Sequence, residues 1–258
     1  MTPPLLTRRR LIAGGAAFGG LLLAGCDRLS ASPTFRDLLA RAEPVTMASQ
    51  RGLLAGGQLA REFKPSDISP LFRANGSVDV ADPAYRRMAQ SGFSDYALSV
   101  TGMVARPLRL SLETLRGGVQ RTQITRHDCV EGWSAIGQWT GKPLAGVLRA
   151  AGLHPDARYV VFRCADDLVG SGDPADLYYE SLDLVDAFHP QTILAHSMNG
   201  APLTVAHGAP IRLRVERQLG YKHAKFVMAI EVVDRLDRIG GGKGGFWEDR
   251  GYEWYAGI

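Results

Sequence analysis

The sequence predicts an α+β fold, with helices packed around mixed β-sheets, and three observations carry that prediction. Strand-like and helix-like segments follow one another in mixed order, without regular βαβ alternation. Thirty glycines and fourteen prolines among 258 residues mark many turns, as a strand-rich chain needs and a helix bundle does not. A hydrophobic content of 45% is ordinary for a globular protein and fills a core. No internal repeat is visible.

The first 26 residues stand apart from that fold. "TRRRLIAGGAAFGGLLLAGC" sets three arginines ahead of fifteen uncharged, mostly apolar residues, Leu11 to Gly25. Such a run is too short to span a bilayer comfortably and fits a signal-peptide core. Arg8-Arg9 after Thr7 resembles the Tat signal. "LAGC", Leu23 to Cys26, resembles a lipobox, in which Cys26 becomes the lipidated first residue. The expectation is a Tat-type signal peptide with lipobox over 1–26 and a periplasmic, lipid-anchored protein that touches the membrane only through Cys26. The Tat route carries folded proteins, so a cofactor inserted before export is expected too. Residues 1–25 hold three arginines and no acids, so without them the formal charge falls from +4 to +1. The basic balance is therefore no sign of nucleic-acid binding, and none is expected.

Residues 27–69 read as an N-terminal extension and 70–258 as the main domain. "TFRDLLARAE", Thr34 to Glu43, predicts an amphipathic helix opened by Thr34. "KPSDISPLFRANGS" is loop-like, with Pro65, Pro70 and Asn75-Gly76 as turn signals. "PAYRRMAQSG" predicts a helix with Pro83 in its first turn and Gly92 just past its end. "YALSVTGMV" alternates as a strand does. "SLETLRG" is a short helix capped by Ser111 and ended by Gly117. "VQRTQITR" is a strand, "PLAGVLRAAG" a helix framed by Pro143 and Gly152, and "RYVVFRC" a buried strand. "SLDLVDAF" predicts a helix capped by Ser181. "TILAHSMNGAPL" holds a strand and then the hairpin turn Asn199-Gly200. "PIRLRVE" and "KFVMAIEVVD" are strands rich in β-branched residues. "GGGKGG", Gly240 to Gly245, lacks the spacing and the Ser/Thr of a phosphate loop, and reads as a flexible or closely packed loop.

Chemistry concentrates at "RTQITRHDCVEGWS", Arg121 to Ser134. Of the three cysteines, Cys26 belongs to the leader, leaving Cys129 and Cys164. There is no CxxC pair and no CxxCH haem motif. Three fates are open to Cys129: half of a disulfide with Cys164 in an oxidising compartment, a nucleophile served by His127, His207 or His223, or a soft-metal ligand. A thiolate needs nearby positive charge. Arg126 supplies it, and so does "RLRVERQLGYKHAK", which carries Arg212, Arg214, Arg217, Lys222 and Lys225 against the single acid Glu216. Arg212 and Arg214 share one strand face. The segment is an anion site or a solvated charged edge strand. Trp133 and Trp139 read as core aromatics and Glu131 as a local hydrogen-bond partner. His127 and Asp128 face the pocket or simply end a strand.

Taken together, "HDCVEGWSAIGQWTGKPLAGVL", "HGAPIRLRVERQLGYKHAK" and "FVMAIEVVD" resemble the sulfite-oxidase-fold molybdopterin oxidoreductases. The likeness is greatest to the periplasmic branch that includes the bacterial methionine-sulfoxide reductase catalytic subunit. It runs from about Leu71 to the C-terminus, and its motifs come in the family's order. The resemblance implies the sulfite-oxidase molybdopterin-binding fold and a molybdenum-molybdopterin cofactor. It makes Cys129 the protein ligand of the metal, which excludes the disulfide. It places the pterin phosphate on Arg212 and on the loop His223, Ala224 and Lys225. It sets His207 where that branch has an asparagine and Cys164 where it has a cofactor-contacting threonine; Cys164 reads equally as a small buried residue. Asn75 in "FRANG" is the cofactor-contacting asparagine, without the aromatic pair that follows it in that branch.

The expected activity is oxo transfer, reducing a small S- or N-oxide, with sulfite oxidation as the alternative direction. Electrons come from a separate partner, a membrane haem protein or a soluble cytochrome, because the sequence shows no haem motif or second redox domain. The rivals from other classes are a binding lipoprotein that lost the metal and a thiol enzyme using Cys129.

Overall fold

A computed structural model describes residues 31–53 and 57–258, so the signal-peptide and lipobox reading of 1–26 lies outside the described residues. Two compact units divide at Ser49 and Gln50. In the first, α1 (Pro33–Ala40) begins one residue before the predicted Thr34, with Pro33 at the first helical position and Ser32 preceding it. Proline suits that position because its missing N–H is one the helix leaves unpaired anyway. A second helix, α2 (Ala42–Leu53), follows after Arg41.

The second unit is built on two β-sheets. One has the order β2 (Leu108–Ser111), β1 (Ala97–Gly102), β10 (Val227–Val233), β5 (Tyr159–Asp167), β6 (Leu177–Asp183). The β1–β10 pair is parallel and the other pairs are antiparallel, which makes this sheet mixed. The other sheet runs β3 (Arg121–Cys129), β4 (Trp133–Pro143), β7 (Ile193–Met198), β8 (Ala201–Pro202), with β9 (Arg212–Arg214) also paired to β7. The architecture is the predicted α+β.

Local chemistry explains the helices. The Asp82 carboxylate accepts from the N–H groups of Ala84 and Tyr85 and opens α3 (Pro83–Gln90). Ser111 caps α4 (Leu112–Arg116), accepting from Thr114 N–H at 3.1 Å. In α5 (Leu144–Ala151) the buried residues Leu144, Val147, Leu148 and Ala151 recur at helical spacing and join the main core. One cap departs from the sequence reading. Ser181 lies inside β6, paired with Val161, and the helix α6 (Leu184–Ala187) is capped by Asp183 instead. The long-range ladder with β5 outweighs the capping preference of a serine, whose hydroxyl donates to Gly244 O at 2.5 Å.

Leu98, Val100, Val160, Phe162, Ile230 and Val232, all fully buried, form the centre of the first sheet's core. Burial of each such side chain contributes about 1.5–3 kcal/mol. This core fixes the ends of β3 and β5 and the loop between β9 and β10, which is where the polar residues gather.

Candidate functional site

β3 alternates, so Gln123, Thr125, His127 and Cys129 lie on its buried face while Asp128 points the other way. Asp128 accepts from Ser134 Oγ at 2.6 Å and from Arg126 Nε at 3.0 Å, and lines a separate surface cleft. The two open readings are thereby divided: His127 is inside and Asp128 is outside.

Cys129, at the strand's end, lines a cavity of about 330 Å³. Asn75, Gly76 and Ser77 reach it from the loop before α3, Asp166 from the end of β5, and His223 and Lys225 from the loop before β10. Trp247 and Tyr252 add a wall from the C-terminal segment. Of the residues singled out from sequence, Cys129, Asn75, His223 and Lys225 are brought together here. Cys164, His207, Arg212 and Ala224 do not line this cavity. Cys164 is buried in β5 opposite Val227 and borders a second, smaller cavity. Cys129 and Cys164 are both free thiols, so the disulfide alternative is not formed. His207 lies on another cleft, donating from Nε2 to Phe72 O at 3.1 Å, while its own carbonyl accepts from Arg212 Nη1 at 3.2 Å. Ala224 is buried, and its carbonyl accepts from Leu213 N–H.

Arg212 and Arg214 are not a solvated edge: both are 0% exposed. Both guanidinium groups lie over the Trp139 ring, at 4.9 and 4.4 Å from its centroid, so Trp139 is core as read from sequence. The two arginines differ in their partners. Arg214 is saturated: Nε and Nη2 donate to Glu216 at 2.9 and 2.5 Å, and Nη1 donates to His127 Nδ1 at 2.9 Å. Arg212 has Nε and Nη2 buried and unpartnered among the described residues. Burial, then the neighbouring Arg214, lowers its pKa to about 9.

The cavity's other polar groups are similarly incomplete. Lys225 Nζ donates to Ser77 O and to Ala206 O. Burial and then Arg212 lower its pKa to about 7. His223 donates from Nε2 to Gln218 O at 3.0 Å, which leaves Nδ1 as a buried, unpartnered acceptor. Burial and the nearby Arg214 hold this imidazole neutral, its pKa well below the usual histidine value. Asn75 Oδ1 and Asp166 Oδ1 are also buried without partners among the described residues. Burial raises the Asp166 carboxyl to about 6, although Ser77 Oγ donates to it at 2.9 Å. Burial also raises the Cys129 thiol, opposed by backbone N–H groups of Glu131 and Val130 and by Arg212. Glu131, as predicted, bonds locally, accepting from Trp133 Nε1 at 3.0 Å and Gly76 N–H at 3.3 Å.

Gly220, in the cavity wall, is required by close approach. A Cβ there would sit 2.7 Å from His127 Nε2. Lys222, counted among the predicted cations, is fully buried between Glu180 at 2.5 Å and Glu248 at 2.6 Å. It is committed to those carboxylates and does not face the cavity.

Sequence reasoning missed Asp166, Ser77, Trp247 and Tyr252. For Asp166 the signal was adjacency: "RCADD" continues the predicted strand past Cys164. The C-terminal aromatics carry no local signal that directs them to Cys129.

Three comparisons with known proteins bear on this arrangement. The model of the oxidoreductase molybdopterin binding domain matches residues 86–238. A protein of Azospira oryzae provisionally named protein-methionine-sulfoxide reductase subunit YedZ1 is 37% identical over 98% of this chain and 88% of its own. The protein-methionine-sulfoxide reductase catalytic subunit MsrP of Burkholderia mallei is 32% identical over 88% of this chain and 70% of its own. Among solved structures, the sulfane dehydrogenase SoxCD of Paracoccus pantotrophus aligns with a TM-score of 0.49 at 24% identity, covering 55% of this chain and 39% of that one.

Proposed function

The chain belongs to the family of oxidoreductases built on a molybdopterin binding domain, and from that premise we propose that it reduces methionine sulfoxide or a related small S- or N-oxide, with electrons from a separate protein. It is an oxidoreductase, and its cofactor is molybdenum-molybdopterin. The substrate class is supported by relatives named protein-methionine-sulfoxide reductase.

The observation that carries the reading is Arg212. A fully buried guanidinium with two unpartnered nitrogens, next to a cavity that also holds Lys225, is a built anion site. An orphaned buried donor costs about 1–3 kcal/mol, so the fold carries a deficit that an anionic group relieves. The phosphate of a pterin is such a group, and the residues fit it. In this reading Arg212 and Lys225 hold the phosphate, while His223 Nδ1 and Asn75 Oδ1 accept from the donors of the pterin. Ala224 acts through its backbone. His207 acts at one remove, because its carbonyl orients Arg212 Nη1. In this reading Cys129 Sγ is the protein ligand of the metal, and Cys164 is a small buried residue.

When bound, the molybdenum-pterin group supplies two-electron oxo transfer. The chain's own residues prepare the site. Burial favours the Cys129 thiol; the Glu131 backbone N–H and Arg212 oppose it in part, toward the thiolate that a metal ligand needs. Reduction of a sulfoxide consumes two electrons and two protons and yields a thioether and one water. The electrons come from the redox partner. The Asp166 carboxyl, raised by burial to about 6, is protonated below that pH and in this reading delivers a proton.

The subunit and catalytic-subunit names of the relatives support a separate partner subunit. In this reading the electron donor is a membrane haem protein or a soluble cytochrome. The twin arginine and Cys26 support Tat export and a lipid anchor, and so a periplasmic site of action. The domain layout proposed is a leader over 1–26, an extension over 27–69 and the catalytic domain over 70–258. The test is molybdenum content beside turnover. About one molybdenum per chain, with dye-linked reduction of methionine sulfoxide, is the expected result. Absence of molybdenum despite full cofactor supply overturns the cofactor reading, and turnover of sulfite alone overturns the reductase reading.

A further inference from the structure

The cavity has two unlike sides. One carries the orphaned polar atoms Asn75 Oδ1, Asp166 Oδ1 and His223 Nδ1. The other is aromatic and comes from the C-terminal segment. Trp247 and Tyr252 stack, with ring centroids 5.3 Å apart and planes at 29°. Tyr221 meets Tyr252 edge-on at 5.2 Å. Tyr252 is 40% exposed, so this side reaches the mouth of the cavity, whereas Arg212 and His223 lie deep.

The aromatic pair is held in place from beneath. Between its members runs a tight turn in which Tyr252 N–H donates to Trp247 O at 3.0 Å and Gly251 N–H to Glu248 O at 3.1 Å. Gly251 has φ 106°, a left-handed conformation that folds Tyr252 back over Trp247. Glu248, the residue after Trp247, is fully buried and bonded to Lys222 Nζ at 2.6 Å. The wall is therefore set before any substrate arrives, and its ordering cost is already met in folding.

From this division we infer that Trp247 and Tyr252 form the specificity wall for the substrate, receiving the S-methyl end of an alkyl methyl sulfoxide on their ring faces. The phosphate and hydrogen-bonding edges of the cofactor match the polar side. A methylsulfinyl group has the opposite needs. Its methyl carbon and its electron-poor sulfur are attracted to the negative ring face. Its oxygen is left to turn toward the interior of the cavity, where Cys129 lies. The wall thus favours a substrate with one soft apolar end over an equally small but hard oxyanion such as sulfite.

This inference rests on the reductase reading, and the experiment separates the two. Binding of methionine sulfoxide to oxidised holoenzyme, without reductant, is measured by calorimetry beside steady-state turnover. The variants are Trp247→Ala, Trp247→Phe and Tyr252→Ala, each with its molybdenum and pterin per chain determined. Trp247→Ala and Tyr252→Ala are expected to weaken binding and raise KM about tenfold, with kcat within about twofold and cofactor content unchanged. Trp247→Phe restores most of the affinity, which a loss through misfolding would not explain. If the parent binds methionine sulfoxide but does not reduce it, the reductase reading fails while the wall stands. If the parent reduces it and the alanine variants keep parental affinity, the wall fails alone. Loss of pterin in Trp247→Ala would make the pair a cofactor platform and overturn the inference, as would no binding to the parent.

Discussion

At Asp166 burial and charge compete, and the sign of the outcome can be worked out. Its carboxyl is raised from 3.8 to about 6, chiefly by burial, against the opposing pulls of Ser77 and Lys225. The folded state therefore binds a proton that the unfolded state releases across that window. Stability falls as pH rises through it and stays lower at neutral pH. Asp166→Asn should raise the thermal midpoint of cofactor-free protein at pH 7, by up to about 3 kcal/mol of stability. The gain over the parent should vanish near pH 4; an equal gain at both pH values would contradict the shifted carboxyl. A second pair of residues separates ligation from anchoring. Serine is harder and far less acidic than a thiol, so Cys129→Ser should abolish turnover while keeping most of the pterin. Lys225→Ala removes a charge-assisted contact worth about 1.5–3 kcal/mol. Cofactor content should drop in that variant, with activity falling in proportion. Pterin and molybdenum per chain, measured beside activity, check both, and near-normal turnover in Cys129→Ser would remove the ligand assignment.

Among the elements, the C-terminal segment depends most on distant partners. Its glycine run is closely packed rather than flexible, because a Cβ at Gly241 would meet the Asp249 carboxylate at 2.9 Å. Tyr179 and the backbone N–H groups of Gly241 and Lys243 bind that same carboxylate. Lys222 then ties Glu248 to Glu180 of β6, all three fully buried. Removing one partner of a buried ion pair leaves an uncompensated buried charge, which is costly. Lys222→Met should lower stability by about 3–5 kcal/mol, seen as a lower urea midpoint at unchanged slope. An unchanged midpoint would mean that the carboxylates find protons or water in place of the lysine. On the opposite side, β3 delivers His127 and Cys129 by simple alternation, and the Glu216–Arg214 pair secures His127 through Nδ1.

For the whole molecule the open matter is where it works and what reduces it. A Tat receptor reads the twin arginine itself, so Arg8→Lys together with Arg9→Lys should leave the protein in the cytoplasm. Cys26→Ser should stop lipidation and spare the active site. Cell fractionation with molybdenum analysis of each fraction checks both, and normal periplasmic levels of the double lysine variant would end the Tat assignment. No described helix is long and apolar enough to cross a membrane.

Sequence alone determined what local chemistry and ordered motifs can carry. Capping at Ser111, the turn at Asn199-Gly200 and the strand that leads toward Cys129 were all legible, because each depends on a few neighbouring residues. The motif order around Cys129 and Arg212 was legible too, and with it the molybdopterin family. Tertiary structure decided the rest. Ser181 became strand because β5 pairs with it, and Lys222 turned from a candidate anion ligand into a buried ion-pair partner because Glu180 and Glu248 flank it. Asp166, Trp247 and Tyr252 joined Cys129 in one cavity from strands and loops far apart in the chain. Their roles arise from burial and from charges brought close by folding, and neither quantity is written in the spacing of residues along the chain.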